Sequence, residues 1–436
     1  MSTVLSHAQT EFSVDDLKYE VREASGDLVA MLARLVEFPS LLGQEGPAQS
    51  YMRSVFESLG LAIDEFEIDD AAISVHPGYS PSLVSYAGRP NVVGIHKPVH
   101  GTRGRSLILN GHIDVVPVGD EALWARSPFS AAVIDGRLYG RGSGDMKAGI
   151  AAYTMAFKVL RDMGYEPAAP VYLQSVIEEE CTGNGALSCL MRGYEADAAI
   201  IPEPTFGGIM DTQAGVAWIE LDVSGLPAHA ALATEGCSAI EFVWYLYQAI
   251  KRLEAKWNEP CCRHHRFADV HHPINFNLGI IQGGEWASSV ATRCKADIRI
   301  GYYPDLSAEQ AIAAVTGAIE EAFNAHPHKE AFRWSVTNRG FKSEGFALDR
   351  NIPLIETLRE CHQDVFDAPA PFVAFPGTTD AKFFNLYGTT PALCYGPPGK
   401  NIHAIDESVA IEDVLQVTTV IAWFIARWCG LNRIEG

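Results

Sequence analysis

The chain has 436 residues, of which 47% are hydrophobic, and a formal net charge of −21 at pH 7. This length predicts two domains, and the apolar fraction supports packed cores rather than disorder. The acidic excess argues against nucleic acid or an anionic membrane as a partner, because phosphate binding needs clustered Lys and Arg.

The sequence contains no sign of export or membrane insertion. No apolar run approaches the roughly 20 residues that span a bilayer. The N-terminal stretch MSTVLSHAQTEFSVDD lacks the basic and apolar blocks of a signal peptide. The nine cysteines are an odd number and include no CxxC pair. We therefore expect reduced thiols and a cytoplasmic location.

Helices and short apolar strands follow one another through the first half of the chain. Apolar residues recur at helical spacing after Asp15, and Pro39 ends that pattern. The predicted helices are 15–38, 46–59, 147–163 and 185–192, and the predicted strands are 61–68, 91–96, 106–110, 171–177 and 198–201. Continuous apolar strands separated by helices predict an α/β fold with a mostly parallel sheet.

A different pattern begins near Thr212 and has the order β-α-β-β-α-β of a ferredoxin-like sandwich. Its predicted strands are 215–223, 274–281, 290–300 and 332–337, and its predicted helices are 237–257 and 307–324. After Gly345 the first pattern resumes, with helices 352–366, 380–387 and 411–428 and a strand at 391–395. We predict a catalytic domain in two parts, 1–212 and 339–436, and an inserted α+β domain at 213–338.

Histidine and acidic residues follow the C-terminal ends of the predicted strands. His112 and Asp114 follow strand 106–110, Glu179 and Glu180 follow strand 171–177, Glu203 follows strand 198–201, and His403 comes after strand 391–395. In open α/β sheets this edge is where ligands bind. Asp145 lies in the glycine-rich stretch GRGSGDMKAG, where the next helix opens.

This set of residue types favours a metal site. Imidazoles and carboxylates without a cysteine suit zinc or a similar divalent ion. So many carboxylates suffice for two ions with one carboxylate bridging, while another stays off the metal as a general base. Asp114 is placed to accept the second N–H of His112 and to set its tautomer.

Each of these positions also has a structural interpretation that the pattern leaves open. His112 is consistent with a hydrogen-bonded structural histidine, and Asp145 with the N-cap of the following helix. The run Glu178–Glu180 is consistent with a solvated acidic face, and Glu203, which lies between two prolines, with a loop residue. The metal interpretation alone explains why His112, Glu179, Glu180 and Glu203 all follow strands.

Several motifs together resemble the dinuclear zinc amidohydrolases that include acetylornithine deacetylase, succinyl-diaminopimelate desuccinylase, carboxypeptidase G and the aminoacylases. They occur in the family's order and are GHIDVVP, GRGSGDMKAG, EEECTGNGA, PEPT, GLPAHA, GTTDAKFF and GPPGKNIHAIDESV. The resemblance implies one zinc ion on His112, Asp145 and Glu203 and a second on Asp145, Glu180 and His403. Co²⁺ or Mn²⁺ are alternative ions for the same ligands.

The resemblance also implies the catalytic groups. Glu179 would take a proton from a water that bridges the zinc ions and pass it to the leaving nitrogen. The family usually has Asp-Glu-Glu where this chain has Glu178–Glu180, and the GNG that follows favours this register over one shifted by a residue. The family often has a second Asp after the bridging one, joined by a cis peptide; Met146 stands there, and we predict that the Asp145–Met146 bond is cis.

In the family the inserted domain is a lid and dimerisation domain, which implies a homodimer here. His229 matches a lid histidine that stabilises the oxyanion, often across the dimer; the alternative is a surface residue. Arg299 matches a lid arginine that meets a substrate carboxylate, and a structural salt bridge is the alternative. The family's Asn-Val-Val-Pro is replaced by SSVA at 288–291. Segments that line the substrate pocket are matched by Thr378, Thr379, Gly396 and Gly399.

These implications predict a zinc-dependent amidohydrolase that cleaves an N-acyl amino acid and is closest to acetylornithine deacetylase. An exopeptidase that acts on dipeptides or on C-terminal residues is the alternative enzyme. A non-catalytic relative that binds a small ligand is a third hypothesis, and the intact set of ligands and base argues against it.

Overall fold

The computed structural model describes residues 11–99, 101–205 and 207–434. The chain forms two compact units. Unit 1 contains the residues up to Asp211, Leu348–Val373 and the residues from Thr379 onward, whereas unit 2 contains Thr212–Ala347 and Ala374–Thr378. Among the described residues, no helix is both long enough and apolar enough to cross a membrane.

The α-helices are numbered in chain order. They are α1 Val14–Glu23, α2 Ser25–Glu37, α3 Gly46–Ser58, α4 Asp70–Ile73, α5 Lys147–Asp162, α6 Asn184–Met191, α7 Ala239–Trp257, α8 Ala308–Ala325, α9 Pro353–Phe366, α10 Ala381–Tyr387 and α11 Ile411–Cys429.

The strands are numbered in the same way. They are β1 Ala62–Phe66, β2 Asn91–His96, β3 Leu107–His112, β4 Ala132–Ile134, β5 Arg137–Tyr139, β6 Tyr165–Pro167, β7 Val171–Val176, β8 Ala199–Ile201, β9 Ile209–Gln213, β10 Gly215–Ser224, β11 Phe276–Gly283, β12 Arg293–Tyr302, β13 Arg333–Ser343, β14 Phe346–Ala347, β15 Phe372–Phe375, β16 Ala392–Cys394, β17 Gly399–Lys400, β18 Ser408–Ala410 and β19 Leu431–Arg433.

The main sheet of unit 1 has a parallel centre. Its order is β1-β2-β7-β3-β8-β16-β9. Strand β3 runs parallel to both β7 and β8, and β16 runs parallel to β8. Strand β2 is antiparallel to β7, and β9 is antiparallel to β16. The C-terminal ends of β7, β3, β8 and β16 therefore meet at one edge of the sheet.

Buried helices cover this sheet. Almost every residue of α5 from Lys147 to Leu160 is buried, and α11 packs against α5 and α9. The apolar side chains of β3 and β7 belong to the same hydrophobic core as these helices. A sheet buried by helices explains why its central strands read as continuous apolar runs.

Unit 2 is a four-stranded antiparallel sheet with the order β11-β12-β10-β13. Helices α7 and α8 pack against it and against each other. Alternate residues of β10, including Ile219 and Leu221, enter the core that these helices cover. The chain order β10-α7-β11-β12-α8-β13 is that of a ferredoxin-like sandwich. The fold class predicted from the sequence is thus confirmed.

Two predicted elements differ clearly from those of the structure. The prediction of a single helix over 15–38 fails because the chain leaves helical geometry at Ala24, where weak helix formers Ser25 and Gly26 follow. The predicted strand 332–337 is longer, because β13 continues to pair with β10 up to Ser343 past an irregularity in register. The predicted boundary at 338/339 consequently lies within β13.

Candidate active site

The histidines and carboxylates predicted at the sheet edge lie together in unit 1. His112 is the last residue of β3, and Glu203 comes two residues after β8. Glu179 and Glu180 follow β7 directly after Glu178. Because β7, β3 and β8 are neighbouring parallel strands, their ends carry these side chains to the same place.

Asp145 reaches the cluster through a tight turn that precedes α5. The carboxylate of Glu407 accepts the main-chain N–H groups of Gly142, Gly144 and Asp145 at 3.0, 2.9 and 3.0 Å. Arg141 donates from Nη1 to the same carboxylate at 2.7 Å. Gly142 has a φ of +79°, a left-handed conformation that favours glycine. One buried acidic side chain thus organises the turn.

Gly149 explains how α5 approaches the loop that carries Glu203. A Cβ atom at position 149 would lie 2.1 Å from the carbonyl oxygen of Pro202, which is shorter than any contact between such atoms. Only glycine therefore lets the first turn of α5 pack beside this loop. The peptide bond between Asp145 and Met146 is cis, as predicted.

The two carboxylate oxygens of Asp145 face two different imidazoles. Oδ1 lies 3.3 Å from Nε2 of His112, and Oδ2 lies 3.3 Å from Nε2 of His403. Nε2 of His112 is also 3.7 Å from Oε1 of Glu203, and Nε2 of His403 is 3.1 Å from Oε2 of Glu180. Asp145 therefore lies between a His112 and Glu203 group on one side and a His403 and Glu180 group on the other.

Asp114 orients the site in a different way from the prediction. Nδ1 of His112 is hydrogen-bonded at 2.9 Å to the main-chain carbonyl of Asp114, while its carboxylate is 3.6 Å away. That carboxylate instead accepts the main-chain N–H groups of Glu179 and Glu180 at 3.3 and 3.2 Å. The carboxylate is thus used to hold the turn that carries Glu179 and Glu180. Nε2 of His112 is left facing the carboxylates.

The cluster carries more negative charge than its own cations balance. Burial raises the pKa of Glu203 to about 8, although His112 lowers it, and burial also raises the pKa values of Glu179 and Glu180. Burial would lower the pKa of His403, but hydrogen bonds to Asp145 and Glu180 raise it to about 11. Burial thus disfavours the charged form of Glu179, Glu180 and Glu203, whereas the carboxylates beside His403 favour its protonated form.

The donor set fits divalent metal ions. Ligand atoms of His112, Glu179 and Glu203 lie within 4.8 Å of one another, and so do those of His112, Asp145 and Glu180. Nε2 of His112 is buried and makes no hydrogen bond to any described residue. Buried acids and a lone-pair nitrogen facing one another are costly without a cation between them. About half of the His403 side chain is exposed, which leaves that side open.

Sequence comparison identifies the relatives of this chain. The profile of Peptidase family M20/M25/M40 matches residues 108–427. N-formyl-4-amino-5-aminomethyl-2-methylpyrimidine deformylase from Halalkalibacterium halodurans is 30% identical over 447 residues, which cover 96% of this chain and 98% of that protein. The Bacillus subtilis protein of the same name is 29% identical, with the same coverage. The chain belongs to peptidase family M20/M25/M40.

Solved structures agree with this membership at the level of the fold. The dipeptidase Dug1p from Saccharomyces cerevisiae has a TM-score of 0.74 at 12% identity and covers 96% of this chain, as this chain covers 98% of it. Human carnosine dipeptidase 1 has a TM-score of 0.71 at 14% identity, with coverage of 95% and 99%. The M20/M25/M40 protein described here is a hydrolase that acts on amide bonds. Its family generally uses divalent metals, typically zinc.

The remaining predicted residues divide between the units. Thr379, Gly396 and Gly399 belong to unit 1, and a Cβ at Gly396 would lie 2.4 Å from the carbonyl oxygen of Glu203. His229, Arg299 and Thr378 belong to unit 2. The ring of His229 is exposed, and its Nδ1 accepts the N–H of Ala231.

Arg299 is committed to main-chain oxygens of its own unit. Its Nη1 donates to Asn275 at 3.4 Å, and its Nη2 donates to Pro376 at 3.1 Å. Burial lowers its pKa. The salt bridge that sequence reasoning kept as an alternative is not among its described contacts.

Sequence reasoning missed several charged residues close to this site. Glu407 organises the Asp145 turn, although its motif drew attention only to His403. Asp380 is buried, both of its carboxylate oxygens lack a hydrogen bond to any described residue, and burial raises its pKa to about 7. Lys147 is buried and donates to the carbonyl of Phe38. All three lie in motifs that carry the family resemblance, GPPGKNIHAIDESV, GTTDAKFF and GRGSGDMKAG, and that position is the sequence signal that points to them.

Proposed function

We propose that this chain hydrolyses the amide bond of a small N-formyl amine such as N-formyl-4-amino-5-aminomethyl-2-methylpyrimidine. Water would add to the formyl carbon, the C–N bond would break, and formate and a primary amine would leave. The proposal rests on similarity over the whole chain to two deformylases of that name, combined with the acidic cluster at the sheet edge.

We propose further that the cluster holds two divalent ions, typically zinc. His112 and Glu203 would hold one ion, His403 and Glu180 would hold the other, and Asp145 would bridge them. The support is that the two oxygens of Asp145 face opposite imidazoles at equal distances of 3.3 Å. When bound, such ions polarise a substrate carbonyl and acidify water.

Glu179 is the proposed general base. Its carboxylate would accept a proton from the attacking water and return it to the nitrogen as the C–N bond breaks, so that the amine leaves neutral. The main-chain N–H of Glu179 is fixed by the Asp114 carboxylate, and burial raises the pKa of its side chain. A carboxylate with a raised pKa binds the proton of the attacking water more tightly and can then deliver it to the leaving nitrogen.

We propose that unit 2 covers the substrate. We also propose that the protein forms a homodimer through this unit. His229 would donate to the oxyanion that forms on the substrate carbonyl. Its ring is exposed on unit 2, so it is accessible to a ligand. Thr378, Thr379, Gly396 and Gly399 would line the pocket.

A second candidate substrate is an N-acyl amino acid of the acetylornithine type, for which the deformylase relatives offer no support. The presence of Arg299 favours this substrate, because a guanidinium pairs well with a substrate carboxylate. Against it, both described hydrogen bonds of Arg299 go to main-chain oxygens. Those two bonds use two of the five guanidinium N–H groups and restrict the directions from which a substrate carboxylate could approach.

A substrate comparison on the zinc-loaded protein tests the proposal. The formylated aminomethylpyrimidine, N-acetylornithine and a dipeptide would be supplied at equal concentrations, and primary amine release would be measured. We expect the largest kcat/KM for the formamide. Turnover of only the dipeptide would favour an exopeptidase, and turnover of only N-acetylornithine would favour the second candidate. Turnover of none of them by the zinc-loaded protein would refute the formamide as well as the two alternative substrates.

A further inference from the structure

A buried group of three charged residues lies directly behind the acidic cluster. It consists of Glu45 before α3, Arg89 before β2 and Glu178 after β7. Their side chains are 0%, 3% and 0% exposed. None of them belongs to the proposed ligand set, and the sequence singled out only Glu178, as a glutamate where related proteins usually have aspartate.

The guanidinium of Arg89 joins the two acids. Its Nε and Nη2 donate to Oε2 and Oε1 of Glu45 at 2.7 and 2.6 Å, a bidentate pair. Its Nη1 lies 2.8 Å from Oε1 of Glu178 and donates to the carbonyl of Ser85 at 3.1 Å. Every nitrogen of the guanidinium is therefore engaged, and the planar fork sets the position of Glu178 relative to α3 and β2.

Glu178 is held at its other atoms as well. Oε2 accepts the hydroxyl groups of Tyr86 at 3.1 Å and Thr182 at 2.8 Å. Its carbonyl accepts the N–H groups of Thr182 and Gly183 at 3.0 and 2.7 Å. Its φ of 65° is left-handed, which is uncommon for a residue with a side chain. Side chain and backbone together thus define the turn that starts at Glu178.

This turn carries Glu179 and Glu180. On the opposite side, the Asp114 carboxylate accepts their main-chain N–H groups. The two residues are consequently held between Asp114, which follows His112, and Glu178, which Arg89 fixes. A displacement of Glu178 has to move Glu179 and Glu180, because they are its neighbours in the chain and in the same turn.

We propose that Arg89 is a positioning residue for hydrolysis: through Glu178 it sets where Glu179 and Glu180 face the cluster. The proposal rests on the general-base role proposed for Glu179. Glu45 is the partner that keeps the guanidinium oriented, and the extra methylene of Glu178 relative to aspartate extends its carboxylate toward Arg89.

A double-mutant cycle between Arg89→Lys and Glu179→Gln tests this positioning. Lysine keeps the charge and loses the fork. On the formamide substrate with saturating zinc, we expect Arg89→Lys alone to lower kcat by about 10²-fold with little change in KM, the order expected for a misplaced catalytic group. In the Glu179→Gln background the same exchange should have almost no further effect. Equal losses in both backgrounds would show a structural role and overturn the proposal.

Arg350→Lys is the matched control in unit 1. Its guanidinium also pairs with a buried carboxylate, that of Asp211, in a place outside the turn. We expect the kcat of Arg350→Lys to stay within about twofold of the parent value, because this substitution lies outside the turn that carries Glu179. A loss equal to that of Arg89→Lys would overturn the proposal. If Arg89→Lys does not fold, Glu45→Gln enters the same cycle, with a smaller loss that again disappears in the Glu179→Gln background.

A Co²⁺ titration of the metal-free protein, followed by visible absorbance, needs no substrate. Because Glu180 lies in the same turn, we expect Arg89→Lys to weaken Co²⁺ binding by about 10–100-fold, as changes behind metal ligands do. Arg350→Lys should bind like the parent. Unchanged Co²⁺ affinity and spectrum in Arg89→Lys would overturn the positioning role. Absence of turnover in the parent, or full activity in Glu179→Gln, would instead refute the proposed function.

Discussion

The charged residues of the two units are arranged in opposite ways. In unit 2, Asp222 on β10 is paired with Arg293 and Lys295 of β12, and hydrogen bonds to Arg293 lower its pKa. In unit 1, Glu203 lies at the sheet edge among other acids, and burial raises its pKa to about 8. The same type of side chain is balanced in one sheet and left with excess negative charge in the other.

This difference separates structural charge from functional charge. Asp222 is neutralised by cations of its own sheet and requires no bound ion. The side chains of these cations, Arg293 and Lys295, are 61% and 40% exposed. Acids that are buried together in larger number than the cations beside them need a further cation. The excess of uncompensated acid, rather than the number of acids, therefore marks the proposed metal site.

The largest expected effect is on catalysis in unit 1. Glu179→Ala should lower kcat by about 10²–10⁴-fold, the usual contribution of a general base, while bound metal remains. Steady-state kinetics and metal analysis of the same preparation would measure this. An unchanged kcat would refute the general-base assignment.

Glu407→Gln tests whether a balanced charge in unit 1 is structural. The exchange leaves Arg141 buried without its charged partner, and we expect a loss of about 3–5 kcal/mol in the free energy of unfolding. Denaturant unfolding of the metal-free protein would measure it. Stability equal to that of the parent would contradict the role of Glu407 in holding the Asp145 turn.

His229→Ala extends the comparison to the residue of unit 2 that is proposed to act on the substrate. Loss of an oxyanion donor should lower kcat by about 10²–10³-fold without lowering zinc content. The measurement is kcat on the formamide substrate, with zinc determined in parallel. Normal turnover would refute the proposed role of His229 and leave it as an ordinary surface residue.

The stability of the metal-free protein should depend on pH because of the excess acid. The folded pKa of Glu203 is raised to about 8, so between pH 5 and 8 the folded state binds more protons than the unfolded state. The free energy of unfolding should then fall as pH rises through this window, by up to about 1.4 kcal/mol per pH unit for each extra proton. The raised pKa of His403 acts in the same direction up to about pH 11.

Urea unfolding at several pH values, with and without zinc, measures this dependence. Zinc should remove it over the same window, because metal binding requires deprotonated ligands and supplies the missing positive charge. A metal-free protein that becomes more stable between pH 5 and 8 would contradict the charge excess.

The smallest expected effect is in the sheet of unit 2. Arg293→Ala removes a cation whose side chain is 61% exposed from its pair with Asp222. Exposed pairs contribute about 0.2–1 kcal/mol, so the midpoint of unfolding should change little and kcat should not change. A loss as large as that of Glu407→Gln would remove the distinction between the two units.

Local patterns in the chain predicted much of this site. The apolar runs of β3, β7 and β8 are readable because both of their faces are buried, and the residues after them are polar. From the sequence alone, those patterns predicted that the following residues lie close together: His112, Glu179, Glu180 and Glu203. They also predicted the ferredoxin-like order of unit 2, since each helix and strand there has its own periodicity.

Contacts between distant parts of the chain were not readable in this way. Glu407 reaches the Asp145 turn from the other end of the sequence, and Arg89 joins Glu45 to Glu178 across three elements. A charged residue and its neighbours in the sequence do not show whether its side chain is solvated or buried. Its burial depends on which elements pack around it.

By itself, the sequence determined which residue types lie at the ends of the parallel strands, because the apolar content of these strands makes them recognisable in the sequence. It also determined the glycines on which the approach of α5 to Pro202 depends. Only the tertiary structure decided that the Glu407 carboxylate holds the Asp145 turn, and that the Asp114 carbonyl rather than its carboxylate bonds to His112. The physical reason is that distances of a few ångströms between side chains depend on packing, whereas strand and helix periodicity does not.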